Sequence, residues 1–443
     1  MGNLATPSSV QELQTALHAK AKEEPGFRFY TLYDKVYRKD VLEYAYACCK
    51  ANKGAAGTDT ERFEDIESYG VDRWLGELAE ALRNEKYEPE AVRRVFIKKR
   101  SGKGMRPLSI PTIRDRVAET AAMLVLEPIF EADLQAEQHA YRPQRNALTA
   151  VRQVHRLLNT GHTQVIDADL SAYFDSIPHD ELLQSVGRRV VDRAMLHLIQ
   201  MWLKAPVEES DGWGKTKRTT CNRDEKRGIP QGSPISPLLS NLYMRRFVLG
   251  WKRLGCMKRY GASIVNYADD LVICCKGQAE EAMLAMRQIM GRIKLRVNEE
   301  KTCICRVPEE YFDFLGYTFG RFYSIKTGRA YLGTRPSRRS VQRMIEAISV
   351  ATNLQTTWLD AATMVEQLNR KLTGWANYFC LGPVSKAYQV IDAHTTTRLR
   401  RWLCRKHKVG GARGNRYPAQ YLHQTLGLVY LPERTQRFPW AKA

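Results

Sequence analysis

The sequence has 443 residues, of which 44% are hydrophobic and 26% are charged, and this composition excludes a chain that is disordered throughout. The formal net charge of +21 indicates a polyanionic partner, and the alternative is a basic surface with no specific ligand. No apolar run approaches the roughly 18 residues that a membrane-spanning helix needs. A chain of this length allows two or three domains with sizeable cores.

The positive charge is concentrated in the last quarter of the chain. Residues 331–443 hold 18 Lys and Arg against 5 Asp and Glu. The ten cysteines include no C-x-x-C pair, which argues against a structural zinc site. No signal-peptide pattern opens the sequence, so we expect free thiols and a cytoplasmic location, the bacterial cytoplasm or nucleoid.

The first predicted elements are helical. Residues 1–50 are predicted to form helices that end before the turn-rich stretch 52–59. Residues 92–97 then read as a strand, 101–104 as a tight turn and 105–110 as the return strand of a hairpin.

Long apolar helices and short apolar strands alternate in the middle of the chain. Helices are predicted from 114 to 132 and from 147 to 158. The predicted strands are 163–166, 263–267, 271–275 and 312–319. This alternation predicts an α+β centre.

Strand patterns end near residue 336. Ser337 is a candidate N-cap for a helix whose Val341, Met344, Ile345 and Ile348 share one face. Further helices are predicted on the face formed by Val365, Leu368, Leu372 and Trp375, and over residues 383–407. The basic C-terminal region is therefore predicted to be helical.

Three acidic residues are the most informative feature of the sequence. Asp269 and Asp270 are adjacent within an apolar predicted hairpin, and Asp169 ends another apolar strand. Neighbours on a regular strand point to opposite faces, but at the tip of a tight hairpin both can reach one site. Carboxylates that meet there need a cation, and oxygen-only ligands favour Mg²⁺. Two such ions about 4 Å apart stabilise the attacking and leaving oxygens of nucleotidyl transfer.

At this point the sequence resembles a known family. Tyr267-Ala268-Asp269-Asp270 resembles the signature of reverse transcriptases. Other stretches resemble that family's motifs in the same order, namely residues 169–175, 227–241, 295–302 and 314–317. The wording QGSPISPLLSN at 231–241 and the stretch 374–379 are similar to reverse transcriptase/maturases encoded by group II introns. The resemblance runs from about residue 45 to residue 430.

The resemblance implies a right-hand polymerase of α+β class. Fingers and palm, an antiparallel sheet with helices, would be followed by an all-α thumb/maturase domain. The expected divisions are an N-terminal helical extension at 1–50, fingers and palm at 51–335, thumb at 336–408 and a basic DNA-binding-like tail at 409–443. No C-terminal nuclease module is recognisable.

The resemblance also assigns roles at the metal site. Asp169, Asp269 and Asp270 match the metal-site carboxylates, with the backbone carbonyl of Leu170 as a further ligand for two Mg²⁺ ions. Lys301 would protonate the leaving pyrophosphate, and its alternative is a solvated lysine at a strand end.

Residues for the incoming dNTP are implied in the same way. Phe174 falls where the family places the ring that clashes with a ribose 2′-OH, and its alternative is an ordinary core aromatic. Lys99 and Arg106 would grip the triphosphate, although a neighbouring basic residue could replace Lys99. Gln231 and Gly232 would form the loop beneath the nucleotide.

The remaining candidates concern RNA and DNA. Tyr141 and Arg142 resemble the segment before the template-contacting helix, with a simple turn as the alternative. Gly316 lies in the stretch that resembles the primer-gripping strands. The basic residues of the predicted last long helix would contact RNA or DNA: Arg398, Arg401, Arg405 and Lys406.

The expected function is RNA-directed DNA synthesis for a group II intron. The implied partners are the intron RNA, an RNA template and a DNA primer or target, with maturase-assisted splicing and target-primed reverse transcription. Three alternatives stay open: an intron-independent enzyme recruited to DNA repair or defence, an RNA-binding splicing factor without polymerase activity, and a polymerase that copies RNA into RNA, which the aromatic ring of Phe174 disfavours.

Overall fold

The structure is a computed structural model that describes residues 4–98, 104–210, 216–324, 327–409 and 416–435. The strands are β1 (Val92–Lys98), β2 (Met105–Ile110), β3 (Gln164–Asp169), β4 (Val207–Ser210), β5 (Thr216–Thr219), β6 (Ala262–Tyr267), β7 (Asp270–Cys275), β8 (Cys303–Arg306), β9 (Phe312–Phe314), β10 (Tyr317–Tyr323) and β11 (Ala330–Pro336). The helices up to the last strand are α1 (Ser8–Glu23), α2 (Tyr33–Val36), α3 (Lys39–Ala51), α4 (Phe63–Tyr69), α5 (Val71–Arg83), α6 (Ile113–Glu131), α7 (Ala147–Asn159), α8 (Tyr173–Ser176), α9 (His179–Gly187), α10 (Arg193–Lys204), α11 (Cys221–Asp224), α12 (Ser236–Arg253), α13 (Cys256–Arg259) and α14 (Ala279–Arg292). After the last strand come α15 (Arg338–Ala351), α16 (Ala361–Tyr378), α17 (Ser385–Lys406) and α18 (Leu431–Arg434).

The first sheet has the order β2-β1-β4-β5 and corresponds to the expected fingers. The predicted hairpin is present, since β1 and β2 pair antiparallel from Arg93↔Ile110 to Lys98↔Met105. Strands β4 and β5 were not predicted because they are short and polar, with sequences VEES and TKRT. β4 joins the sheet parallel to β1.

The second sheet, β6-β7-β3-β8, is wholly antiparallel and corresponds to the palm. Its strands carry apolar residues that helices cover, so β7 is buried from Leu271 to Cys275. Strand β8 was not predicted, because CICR is only four residues long.

The third sheet has the order β11-β10-β9. The single strand predicted over 312–319 is wrong, because a turn at Leu315 (φ 50°) and Gly316 (φ 82°) divides it into β9 and β10. A two-residue turn with positive φ at both positions is the geometry that joins antiparallel strands tightly.

The largest core runs beneath the fingers and palm. Helix α6 has 16 of its 19 residues buried, because α1 and α3 pack on it while α12 lies against it too. Val10 and Leu42 belong to the same core as the palm residues Ile166 and Ile273. The described part of the expected N-terminal extension is therefore integral to the fingers and palm.

The C-terminal region is helical, and the expected boundary near 336 coincides with the end of β11. Ser337 caps α15 by accepting a hydrogen bond from the Ser340 amide at 3.2 Å. The expected separate tail at 409–443 needs correction over its described part. Leu422, Leu428 and Leu431 are buried in the same core as Trp402, so residues 416–435 complete the helical domain.

The α+β class and the helical C-terminal domain are thus confirmed. None of the helices in the described ranges is long and apolar enough to cross a membrane. All ten cysteines are free thiols.

Candidate active site

The three candidate carboxylates meet at one end of the palm sheet. Strands β3 and β7 are antiparallel neighbours, and their register pairs Asp169 directly with Asp270. Asp269 precedes Asp270 in the turn between β6 and β7. Residues a hundred positions apart in sequence therefore lie side by side, because β3 ends where its antiparallel neighbour β7 begins.

The turn that carries Asp269 has a specific local cause. Tyr267 pairs with Asp270, so only Ala268 and Asp269 connect the strands. Ala268 has a φ of +58°, the left-handed conformation that tight hairpins use. The buried side-chain amide of Asn266 donates to the Ala268 carbonyl at 2.8 Å and fixes this shape.

The acids at this edge repel one another. Desolvation raises the pKa of Asp270 to about 7, and the negative charges of Asp269, Asp167 and Asp169 add to the shift. The pKa of Asp167, two residues before Asp169 on β3, rises to about 6 through burial and the charges of Asp169 and Asp313. Asp167 was not proposed as a site residue, although its alternation with Asp169 on one strand places both on the same face.

Lys301 contacts the first acid directly. Its Nζ donates to Asp169 Oδ2 at 3.0 Å, and the Asn298 side-chain amide donates to the same oxygen at 3.1 Å. The backbone amide of Asn298 also donates to the Asp169 carbonyl at 2.8 Å. Asn298 was missed as a positioning residue, although it lies three residues before Lys301 in the same motif.

The donor set fits a hard divalent cation. In the ranges described above, no group of three or more His, Cys, Asp and Glu side chains is already arranged to hold a metal ion. The converging groups nevertheless offer only oxygen ligands, and their mutual repulsion is the condition that a cation relieves. The backbone carbonyl of Leu170 is compatible with the expected role as a metal ligand. The β-bridge between Leu170 and Val297 is made by the carbonyl of Asp169 and the amide of Ser171, and not by the Leu170 carbonyl.

Phe174 lies close behind the first acid. It follows Ala172, whose φ of +46° turns the chain sharply after β3, and its ring packs edge-on against Tyr173 at 5.5 Å. Only 6% of Phe174 is exposed, so its ring is part of the core here, and the expected gate role stays a prediction. The Ile229 amide donates to the Phe174 carbonyl at 2.9 Å and ties it to the loop that follows.

That loop connects the palm to the fingers. Arg106 Nε donates to Gln231 Oε1 at 3.0 Å, and Gln231 Nε2 donates to Asp175 Oδ2 at 3.3 Å. Gly232 has a φ of +118°, and a Cβ added there would lie 2.4 Å from the Ser109 carbonyl oxygen. The close approach at Gly232 is therefore to the backbone of β2. Lys99 lies outside the described residues.

A buried acid beneath this loop was missed. Glu119 on α6 accepts a hydrogen bond from the Ser233 hydroxyl, and both residues are 3% exposed. Burial raises the pKa of Glu119 to about 8, so the neutral carboxyl is favoured near neutral pH. A glutamate inside an apolar helix was the available signal.

Tyr141 and Arg142 differ in what they can contact. Tyr141 is 46% exposed. Its pKa is raised mainly by partial desolvation and secondly by the negative charge of Asp269, so Tyr141 lies near the acids. Arg142 is buried, with bonds to Glu131 at 2.6 and 2.9 Å and to the Gln135 carbonyl at 2.6 Å. The guanidinium of Arg142 therefore holds the chain turn together, and its expected RNA contact stays a prediction.

Gly316 contacts the helical domain, and its expected nucleic-acid contact stays a prediction. Its carbonyl accepts from the Ser340 hydroxyl and the Ser337 amide, each at 2.9 Å. An added Cβ would lie 2.9 Å from Ser340 Oγ and 3.2 Å from Phe379 Cζ. The turn is thus seated against the thumb helices, where only glycine fits.

The four basic candidates of α17 divide into two pairs. Arg398 donates to the Ser349 and Thr352 carbonyls at 2.8 and 3.1 Å and so caps the end of α15. Lys406 donates to the Thr357 carbonyl at 3.1 Å and lies over Trp402. The expected contacts of these two with nucleic acid are not supported, whereas Arg401 and Arg405 are exposed on the helix surface.

Comparison with known proteins agrees with this geometry. Residues 97–319 match the family "Reverse transcriptase (RNA-dependent DNA polymerase)", and residues 341–419 match "Group II intron, maturase-specific domain".

Individual relatives show the same similarity. Protein YkfC of Escherichia coli is 30% identical over 70% of this chain and 87% of its own length. The group II intron-encoded protein LtrA of Lactococcus lactis is 28% identical over 65% of this chain and 56% of its own length. Nuclear intron maturase 2, mitochondrial, of Arabidopsis thaliana is 29% identical over 31% of this chain and 19% of its own length.

The chain spans most of YkfC but little more than half of LtrA. The reverse transcriptase match covers half of the present chain and includes all three carboxylates at the edge of the palm sheet. The chain belongs to the reverse transcriptase family and, with its maturase-specific domain, to the group II intron reverse transcriptase/maturases.

Proposed function

We propose that this chain copies RNA into DNA at the site formed by Asp169, Asp269 and Asp270, and that it does so on behalf of a group II intron. The observation that carries the proposal is the direct pairing of Asp169 with Asp270 at the edge where Asp269 turns. Members of the family use divalent ions and dNTPs. When bound here, two Mg²⁺ ions would activate the primer 3′-oxygen and neutralise the leaving pyrophosphate.

The protein groups around the acids have complementary tasks in this proposal. Lys301 is held 3.0 Å from Asp169, where it screens the acid and lies near a departing phosphate. Arg106 is exposed on β2 and oriented by Gln231, so its remaining donors are available to a triphosphate. Phe174 supplies the bulk that would exclude a ribose 2′-OH.

The RNA partner is proposed from the second domain. The maturase-specific match covers α15 and most of the remaining helical domain, which carries Arg401 and Arg405 on its exposed surface. Guanidinium groups of this kind bind phosphates with little dependence on sequence. We propose that this surface binds the intron RNA. From that role we also propose that the chain binds target DNA and acts inside the cell.

Primer extension tests the proposal. Full-length chain with an RNA template, a DNA primer, dNTPs and Mg²⁺ should extend the primer, and Asp269→Asn combined with Asp270→Asn should reduce the rate by at least about a thousandfold. Asn keeps the size of each side chain, so the fold should persist. Asp72→Asn is the matched control, since Asp72 is an exposed acid of α5.

Two readouts separate the alternatives that the sequence left open. Extension by the double variant at the wild-type rate would remove the carboxylates from the mechanism. RNA binding and splicing assistance by the same variant should persist if the helical domain carries them. An inactive wild-type chain that still promotes splicing would favour the splicing-factor alternative.

A further inference from the structure

A groove lies on the third sheet, and none of the three candidate carboxylates lines it. It has a volume of about 900 Å³ and is formed by β10, β11 and the first turns of α15 and α17. This volume is within the range of specific ligand clefts, roughly 300–1,000 Å³. Its lining includes Arg321, Arg335, Arg338 and Lys386 and contains no Asp or Glu among the described residues.

The floor of the groove depends on two opposed glycines. Gly320 of β10 pairs with Gly333 of β11. A Cβ added at Gly320 would lie 2.2 Å from a ring carbon of Tyr311, and one at Gly333 would lie 2.7 Å from a ring carbon of Tyr331. The missing side chains therefore let both rings lie flat on the sheet. Phe322 lies between them, with ring centroids 5.9 and 6.2 Å away.

The rings are presented to solvent. Tyr311 is 52% exposed and Tyr331 is 36% exposed, while Tyr323 at the end of β10 is 63% exposed. Exposed aromatic faces of this kind stack on the bases of nucleic acids without requiring a particular sequence.

The cations surround the rings. Arg335 lies over Phe322, with its guanidinium carbon 4.8 Å from the ring centroid. Arg338 and Ser385 are the first residues of α15 and α17, and neither helix has an acid in its first turn. Both helices begin at the groove, so the amides of their first turns add positive potential to that of Lys386.

We propose that this groove binds an unpaired nucleic-acid strand, with bases stacked on the tyrosines and phosphates held by the arginines and the lysine. An unpaired strand alternates flat bases and single negative charges, which matches this lining. A duplex keeps its bases stacked on each other, and an acidic peptide offers no flat partners. None of Asp169, Asp269 and Asp270 lines this groove, so the two sites share no residue among those that carry the proposed chemistry.

Binding of an oligonucleotide to the groove can be measured on the full chain once the polymerising channel is blocked. The polymerising channel is first filled with an unlabelled hairpin primer–template, and fluorescence anisotropy then follows labelled oligo(U) or oligo(dT) of about ten nucleotides. Tyr323→Ala combined with Tyr331→Ala should weaken oligonucleotide binding at least about tenfold. Arg338→Ala combined with Lys386→Ala should weaken it too and lower the salt dependence by about two phosphate contacts.

Matched variants guard against general effects. Tyr30→Ala removes a tyrosine that is 67% exposed elsewhere, and Lys22→Ala with Lys258→Ala removes two exposed charges, so all three substitutions should leave binding unchanged. Both groove variants should extend a short primer–template at the wild-type rate, which also shows that they fold. The Asp269→Asn/Asp270→Asn variant should bind the oligonucleotide normally, so this inference and the proposed function fail separately.

Several outcomes would overturn the inference. Unchanged oligonucleotide affinity in both groove variants would remove the site. Equal competition by a blunt duplex would contradict stacking, and equal displacement by polyglutamate would reduce the groove to a nonspecific cationic surface. Preference for either the RNA or the DNA oligonucleotide supports the inference and identifies which strand enters.

Discussion

Replacing Gly232 by alanine tests how the nucleotide-facing loop is built. The new Cβ would lie 2.4 Å from the Ser109 carbonyl oxygen and 2.9 Å from Leu108 Cδ1, at a φ of +118°. The unfavourable φ costs about 1–2 kcal/mol. Relief of the backbone clash requires the loop to move, which would break the 2.6 Å bond from the Ser109 amide to the Gln231 carbonyl and cost about 1 kcal/mol more.

The substitution should therefore destabilise the loop by about 2–3 kcal/mol. The affected part of the loop contains Gln231, which orients Arg106. If that free energy is needed to hold the triphosphate, kcat/KM for dNTP should fall by roughly 30- to 150-fold. The assay is steady-state primer extension with varied dNTP, together with the thermal midpoint of the variant.

Gly76→Ala is the matched control for this substitution. Gly76 lies within α5, and nothing lies within 4 Å of the position that a Cβ would occupy there, so alanine should be neutral or stabilising by up to about 1 kcal/mol. A Gly232→Ala chain with wild-type kcat/KM and thermal midpoint would refute the assignment of this close approach to loop positioning.

Three further predictions concern separate parts of the chain. Phe174→Val should raise ribonucleotide incorporation relative to dNTP incorporation by at least about tenfold, and unchanged discrimination in single-nucleotide extension would remove the gate role. Because the folded pKa of Glu119 is raised to about 8, its stabilising contribution is complete below the unfolded pKa near 4.3 and is lost as pH rises through 8. Glutamine stays neutral, so the Glu119→Gln variant should lose less free energy of unfolding than the wild type between pH 5 and pH 9. Denaturation curves that give the same loss for both proteins would contradict this expectation. Arg398→Ala should lower the thermal midpoint by removing the cap of α15, whereas Arg401→Ala/Arg405→Ala should spare it and weaken RNA binding in a salt-dependent manner. The reverse pattern would exchange these two roles.

The sequence correctly predicted helices with strong apolar periodicity, and it predicted the acids that are marked by the apolar strands beside them. The α6 and α7 bounds differ from prediction by about a residue, and Asp169 meets Asp270 because one apolar strand ends with an acid and its antiparallel neighbour begins with one. Strands β4, β5 and β8 were missed, since four-residue polar or cysteine-containing stretches form strands only because neighbouring strands of a sheet pair with them.

Three basic site candidates have intramolecular partners for a common physical reason. Arg142, Arg398 and Lys406 read as basic residues available to phosphate, but carbonyl oxygens of the chain's own turns and helix ends take their donors. A sequence shows the charge of an arginine and not which backbone oxygens the fold leaves unpaired beside it. Glu119 was missed for the converse reason, because its importance depends on burial.

The second hydrophobic core joins the palm to the helical domain. Val165 and Val272 of the palm sheet share it with Phe379, Cys380 and Leu381, which follow α16. The turn at Gly316 is locked into the same junction. A chimaera that exchanged only the C-terminal domain with a relative would therefore mix the two halves of one packing arrangement. Successful exchange should require that the β9–β10 turn and the helices come from the same parent protein. The segment that must be exchanged as one piece therefore begins before the apparent domain boundary near residue 336.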